Sequence, residues 1–296
     1  MHNHSKKAFL IVNKFAGQRR KYASAVNAVV PVFHKNNWQI DVAYTQFRGH
    51  ATDLASGAAL SGFDLVIAAG GDGTVNEVAQ GLLGKSVPMG IIPMGSGNGI
   101  ARELNLPVDI SECAQRLISG TKKQIDVCRF NNQKFFGNCG TGFDARVAEK
   151  MAGEKSRGFL RYVWLTIKES ISFKPFQIKM KVEDFYLEKT VFLVSFANSR
   201  QFGNNAFIAP AASMSDGLID VVVVNQFNKL WLPVLGVSLF LKMFPKLPFV
   251  ECYKAKQIEI EYSELNLYQF DGEPGTFSVP VQIGTDAEKL IVIGGE

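Results

Sequence analysis

Three short stretches hold the residues of this 296-residue chain best placed to do chemistry: Gly70-Gly71-Asp72-Gly73-Thr74 with Asn76-Glu77, Met94-Gly95-Ser96-Gly97-Asn98-Gly99, and Asp271-Gly272-Glu273. The first two are glycine-rich turns that follow apolar runs. Residues without side chains let a ligand approach the backbone, and the first turn of a following helix aims unpaired N–H groups and a partial positive charge at the same point. Phosphates bind at such places. Asp72 would repel a bare phosphate, so it implies either a magnesium ion or an anchor for the loop. The plainer alternative is a tight strand-to-helix turn with Asp72 or Thr74 as its N-cap. The third stretch sets two carboxylates around a glycine, suited to positioning or deprotonating a hydroxyl. On its own it reads as an Asp-Gly hairpin turn.

Neither common nucleotide fingerprint fits. Ala79 stands where Gly84-Lys85-Ser86 would need the first Walker glycine, and Asn76 and Ile100 stand where the dinucleotide pattern needs its third.

The elements that must position these stretches alternate over the first part of the chain. Strands are expected at Lys7–Val12, Trp38–Thr45, Asp64–Ala69 and Val87–Pro93, with helices from about Tyr22 to Asn36, His50 to Leu60, Val75 to Leu83, near Ile100, and Ser111 to Ser119. Such alternation implies a parallel sheet covered on both faces, a doubly wound α/β domain. Asn13, Thr45, the Gly70 turn and Ser96 then all lie at strand ends, where open α/β sheets bind ligands.

From about Gln124-Ile125-Asp126-Val127 the pattern turns strand-rich, with runs at 135–138, 176–182, 190–197, 218–224, 257–262, 265–270 and 289–293. This predicts a second, mainly antiparallel β-sandwich domain. Helical stretches interrupt it near 145–151, 159–172 and 230–244. The expected domains are 1–125 and 126–296, with the return of the last strand to the first domain left open.

A content of 47% hydrophobic and 20% charged residues fits a packed globular protein, and a net charge of +5 with a pI of about 8.9 permits attraction to an anionic surface without establishing it. Cys113, Cys128, Cys139 and Cys252 form no C-x-x-C pair, His2, His4, His34 and His50 form no zinc spacing, and no cleavable signal precedes the first strand. The expectation is free thiols in a cytoplasmic setting. The longest apolar stretch, 230–244, is broken by Pro233 and Lys242 and falls short of the roughly 20 residues that span a bilayer. Between Arg146 and Lys181 nine Lys or Arg stand against three acids, interleaved with Phe159, Tyr162, Trp164, Phe173 and Phe176. That suits an anionic interface, or else a solvated helix face over a core.

Taken in order, the glycine turns resemble the diacylglycerol kinase catalytic-domain family, which includes bacterial lipid kinases and sphingosine kinases. Further matches follow: Asn13 to Gly17, Thr45 before His50-Ala51, Asp126, Gly140-Thr141-Gly142-Phe143-Asp144-Ala145, Asp216-Gly217 and Asp271-Gly272-Glu273. The resemblance implies an active cleft between a nucleotide-binding α/β domain and a β-sandwich domain. By that analogy ATP is held by Asn13, Lys14, Phe15, Ala16, Gly17, Thr45, Gly70, Gly71, Asp72, Gly73, Thr74, Asn76, Glu77, Ser96, Gly97 and Asn98. The catalytic base lies at Asp271 or Glu273. An Mg2+-linked acidic network uses Asp72 and Asp126, and a structural cation sits at Asp216 with the Ser213 and Leu218 carbonyls. One departure is Gly99, where many relatives carry an acid, and the Gly-Ser-Gly-Asn form is also common among sphingosine-kinase-like members. The lipid acceptor is therefore left open.

The expected function is an ATP- and Mg2+-dependent lipid kinase, peripheral to the membrane, that phosphorylates diacylglycerol to phosphatidic acid. The alternatives are a sphingoid-base or other lipid kinase, a soluble-acceptor kinase of the NAD-kinase kind, and a non-catalytic nucleotide or lipid sensor. A lipid surface is the expected partner and nucleic acid is not; a homodimer is an open assembly.

Overall fold

The computed structural model describes residues 5–14, 21–154 and 159–295, so the expected nucleotide contacts Phe15, Ala16 and Gly17 lie outside the described residues. The chain divides into two compact units, Met1–Ile125 with Glu288–Glu296, and Asp126–Ala287.

The first unit contains β1 (Lys7–Val12), α1 (Lys21–Lys35), β2 (Gln39–Tyr44), α2 (His50–Leu60), β3 (Leu65–Gly70), α3 (Asp72–Gly81), β4 (Met89–Pro93), α4 (Gly99–Glu103) and α5 (Ile110–Ser119). β1 pairs in parallel with both β2 and β3, β3 pairs with β4, and Val292 near the chain end pairs in parallel with Met89. Helix α1 packs with α5 and α2 with α3. A parallel strand covered on both faces has no polar side to present. Hence every residue of β3, Leu-Val-Ile-Ala-Ala-Gly, is buried. Strand order reverses between β1 and β3, and such a switch point opens a crevice at the carboxyl ends of the strands.

The glycine turn differs from the expectation in one respect. Helix α3 starts at Asp72, not Val75, so Asp72, Gly73 and Thr74 form its first turn and Gly71, with extended backbone, is the N-cap. Glycine at 73 has poor helix propensity, which masks the true start in a reading by periodicity.

The second unit contains β5 (Thr121–Phe130), which begins just before the unit boundary, β6 (Gln133–Phe135), β7 (Asn138–Gly142), α6 (Phe143–Ala152), α7 (Phe159–Ser172), β8 (Phe176–Val182), β9 (Phe185–Ala197), β10 (Ile219–Asn225), α8 (Leu232–Phe240), β11 (Val250–Ala255), β12 (Gln257–Ser263), β13 (Leu267–Phe270), β14 (Glu273–Thr276) and β15 (Val281–Gly294), whose end runs into the first unit. The pairs β7–β9, β8–β9, β8–β12, β9–β10, β10–β11, β7–β13 and β13–β14 are all antiparallel. Strand β10 lies between two cores: Ile219, Val221 and Val223 enter one with Phe196 and Met180, while Val222 and Val224 enter the other with Phe143 and Phe192. Burial on both faces explains its unbroken valine run.

The run expected at 135–138 is two strands, β6 and β7, with Phe136–Gly137 as the bend between them. Strands β11 and β14 were not expected. Val-Glu-Cys-Tyr-Lys-Ala and Glu-Pro-Gly-Thr carry too many poor strand formers, and only their partners β10 and β13 hold them extended.

Candidate active site

In the first unit the two glycine turns form one cradle. Asp72 is the clamp: one carboxylate oxygen accepts from Asn98 N–H at 3.0 Å and the other from Gly99 N–H at 2.8 Å. These amides open α4, so Asp72 sits in the first turn of one helix and caps the next. Burial raises its pKa, while the Gly99 and Asn98 amides pull it back down. Neither Asp72 nor Thr74 caps α3 itself.

Glycine is required here by contact. A Cβ on Gly95 would lie 2.7 Å from Gly71 Cα, and one on Gly97 would lie 3.1 Å from an Asp72 oxygen. Asn98 takes a left-handed conformation (φ 52°), which asparagine tolerates better than most residues. Its side chain staples the second turn, accepting from Gly95 N–H at 2.8 Å and donating to Gly95 C=O at 3.0 Å.

The crevice edge is tied as well. Asn13, just past β1, donates from Nδ2 to Thr74 Oγ1 at 2.9 Å, and its N–H reaches Ala69 C=O at 3.0 Å. Thr45 is buried and donates its N–H to Val12 C=O. Glu77 and Asn76 have other partners: Glu77 accepts from Ala51 N–H at the start of α2, and Asn76 accepts from Gln80. Asn13, Thr45 and the two turns are thus gathered at the carboxyl ends of neighbouring strands, with the first N–H groups of α3 among them.

In the second unit Asp271 and Gly272 form the two-residue turn between β13 and β14, both with positive φ (47° and 89°). That is the hairpin geometry for which Asp-Gly is preferred. An aromatic cluster underlies it: Phe270 stacks on Phe135 with ring centroids 5.9 Å apart and packs against Phe130 and Tyr268. The Asp271 carboxylate accepts from Asn138 N–H at 2.7 Å, while its own N–H donates to Asn138 C=O at 2.8 Å. A Cβ on Gly137 would strike that carboxylate at 2.4 Å. Asp271 is therefore a fixed support, whereas Glu273, first residue of β14, is exposed.

Buried amides extend this support to Asp126. Asn198 donates from Nδ2 to Phe136 C=O at 2.7 Å and to Asp126 C=O at 3.0 Å, and Asn138 donates to Ser199 Oγ at 2.8 Å and Gln201 C=O at 2.7 Å. The Asp126 carboxylate accepts from Gly217 N–H at 2.7 Å. Asp144 props the hairpin from the other side. It accepts from Gln269 Nε2 at 3.1 Å, and Gln269 Oε1 accepts from Gly272 N–H at 2.8 Å. Burial pushes the Asp144 carboxyl up to about 6. Sequence reasoning assigned no role to Asn138, Asn198, Gln269 or Asp144. The only signal was the position of Asp144 in the Gly140 to Ala145 motif.

Of the residues expected to hold a structural cation, Asp216 is paired with a lysine. The Asp216 carboxylate accepts from Leu218 N–H at 3.1 Å and meets Lys254 Nζ at 2.9 Å, and the same ammonium meets Asp220 at 2.9 Å. A built-in cation stands there already. Asp72 and Asp126 likewise spend carboxylate oxygens on backbone amides, and no cluster of three or more metal-ligating His, Cys, Asp or Glu exists among the described residues.

Three of the nine basic residues of the 146–181 stretch are paired with acids among the described residues. Arg146 pairs with Glu149 and Glu169, Arg161 with Glu154 and Lys179 with Glu261, while Arg161 and Lys168 also lie over the Trp164 ring.

Comparison with known proteins agrees with this architecture. Residues 7–130 match a family model described as the diacylglycerol kinase catalytic domain, and residues 137–294 match the YegS C-terminal NAD kinase beta sandwich-like domain. Diacylglycerol kinase of Bacillus subtilis (strain 168) is 30% identical over 91% of this chain and 90% of its own length. Diacylglycerol kinase of Mycobacterium tuberculosis (strain H37Rv) is 28% identical over 93% and 90%. A diacylglycerol kinase crystal structure from Bacillus anthracis str. Sterne superposes with a TM-score of 0.77 at 25% identity, covering 98% of this chain and 97% of that one. With both halves of its length matched in order, an α/β half and a β-sandwich half, the chain belongs to the diacylglycerol kinase family of lipid kinases.

Proposed function

We propose that this chain transfers the γ-phosphate of ATP to the hydroxyl of diacylglycerol, giving phosphatidic acid at a membrane surface. The observation that carries the reading is the Asp72 clamp, which holds two glycine turns against each other. With the turns fixed in this way, the first N–H groups of α3 are set in place before a ligand arrives, which suits a polyphosphate.

The roles divide between the two sets of residues. Asn13, Thr45, the α3 amides and Ser96 bind and orient the nucleotide. Glu273 takes the proton of the acceptor hydroxyl as its oxygen attacks the γ-phosphorus and ADP leaves. Asp271, held by the Asn138 amide, sets the hairpin that presents Glu273. Magnesium, arriving with the nucleotide, supplies charge neutralisation on the phosphates; no carboxylate of this chain is assigned to it directly. A peripheral, membrane-facing enzyme follows from a lipid acceptor.

The test is product analysis with γ-labelled ATP and a panel of diacylglycerol, monoacylglycerol, a sphingoid base and NAD. Label in phosphatidic acid is expected. Label chiefly in the sphingoid base or NAD would reassign the acceptor, and ATP binding without any labelled product would favour a sensor.

A further inference from the structure

Helix α8 and its flanks are apolar on both sides, yet only one side is covered. Leu232, Leu235 and Leu239 pack on the second-unit core. On the outer side Leu230 is 83% exposed, Leu241 61%, Val237 57%, Phe240 48% and Met243 47%. A helix hydrophobic all round normally belongs inside a core or a membrane, and no described helix is long and apolar enough to cross one. An outward apolar face of this extent marks an interaction site.

Charge indicates what covers it. From Gln226 to Val250 the chain carries Lys229, Lys242 and Lys246 and no acidic residue. All three lysines are exposed. Trp231, 40% exposed and packed edge-on to Phe249, stands at the start of the helix. Exposed aliphatics, a tryptophan and a rim of lysines without acids are the composition of a segment that lies in the headgroup layer of an anionic bilayer. Within the same unit, α6 joins this face to the candidate active site: it shares the core with α8 and contacts β13 and β14, which flank Asp271 and Glu273.

We infer that the outer face of α8, with its flanking lysines, docks on anionic lipid bilayers and brings the enzyme to its acceptor. The inference rests on the lipid-kinase reading for its purpose, while binding itself is measured without turnover.

The experiment is co-sedimentation of the full chain with phosphatidylcholine vesicles with and without phosphatidylglycerol. The wild type should partition to the anionic vesicles. A V237E/L241E double variant should lose at least about 10-fold in partitioning. K242Q/K246Q should lose about 30-fold on anionic vesicles and nothing on neutral ones. Both variants should keep the wild-type thermal melt and its turnover of a monomeric short-chain diacylglycerol. Undiminished vesicle binding by V237E/L241E, or no binding by the wild type, would overturn the inference. So would a dimer that V237E/L241E splits while vesicle binding persists, which would assign the face to a second copy. Failure of the kinase reading would look different: no turnover of the short-chain lipid by any form, with the vesicle results intact.

Discussion

Asp144 offers a quantitative test of how the second unit is built. Its carboxyl is buried and takes one side-chain hydrogen bond, from Gln269, with weaker support for the anion from the Ala145 and Asp144 backbone amides. Desolvation outweighs these bonds and lifts the group to about 6, whereas the unfolded chain returns it to about 4. Between those values the folded state holds more protons than the unfolded state, so this group's contribution to stability is full below pH ~4, falls as pH rises, and is lost above about 6. The difference between about 4 and about 6 amounts to about 3 kcal/mol. Asp144→Asn has no proton to release. Its buried amide adds a cost that does not vary with pH, so the informative quantity is the slope. Urea denaturation of wild type and D144N across this window should show the variant gaining up to about 3 kcal/mol relative to the wild type, a relative shift of roughly 6–12 °C in melting temperature. Parallel pH profiles would refute the reasoning that burial, and not the Gln269 bond, governs this group.

Three further outcomes follow from the same contacts. Asp72→Ala strips two buried amides of their acceptor and should cost about 2 kcal/mol in the first unit and weaken ATP binding, measured by calorimetry. Gly137→Ala places a methyl 2.4 Å from an Asp271 oxygen; it should cut kcat while leaving the ATP dissociation constant near wild type. Because Lys254 already neutralises Asp216 and Asp220, the wild-type melting temperature should not change with EDTA, while Lys254→Ala should be less stable and recover with added magnesium.

The parallel half of the fold was legible because β3 and β4 are unbroken apolar runs between helical patterns, and burial on both faces leaves no other composition for them. The glycine turns were legible as a pair, but not the link between them. Asp72 reads as a metal ligand, a loop anchor or a local cap, and the partners it anchors, Asn98 and Gly99, lie 26 and 27 residues away. The same holds for Asp271 and the Asn138 amide, 133 residues apart: pairing of β13 with β7 brings them together, and sequence spacing carries no trace of it. The lysine at the expected cation site was hidden for a similar reason. Asp216 matched a pattern, but Lys254, on the neighbouring stretch of β11, supplies the positive charge. Polar strands such as β11 and the Pro-Gly strand β14 stayed hidden because partners, not propensity, make them extended.

The proposed mechanism divides labour between a clamped pair of turns for the nucleotide and Glu273 for the acceptor's proton. Its most direct measurement is steady-state transfer of labelled phosphate from ATP to micellar diacylglycerol by wild type and Glu273→Gln, paired with ATP affinity by calorimetry. The expected result is a fall in kcat of at least about 100-fold with ATP affinity unchanged; wild-type kcat in the variant would contradict the account.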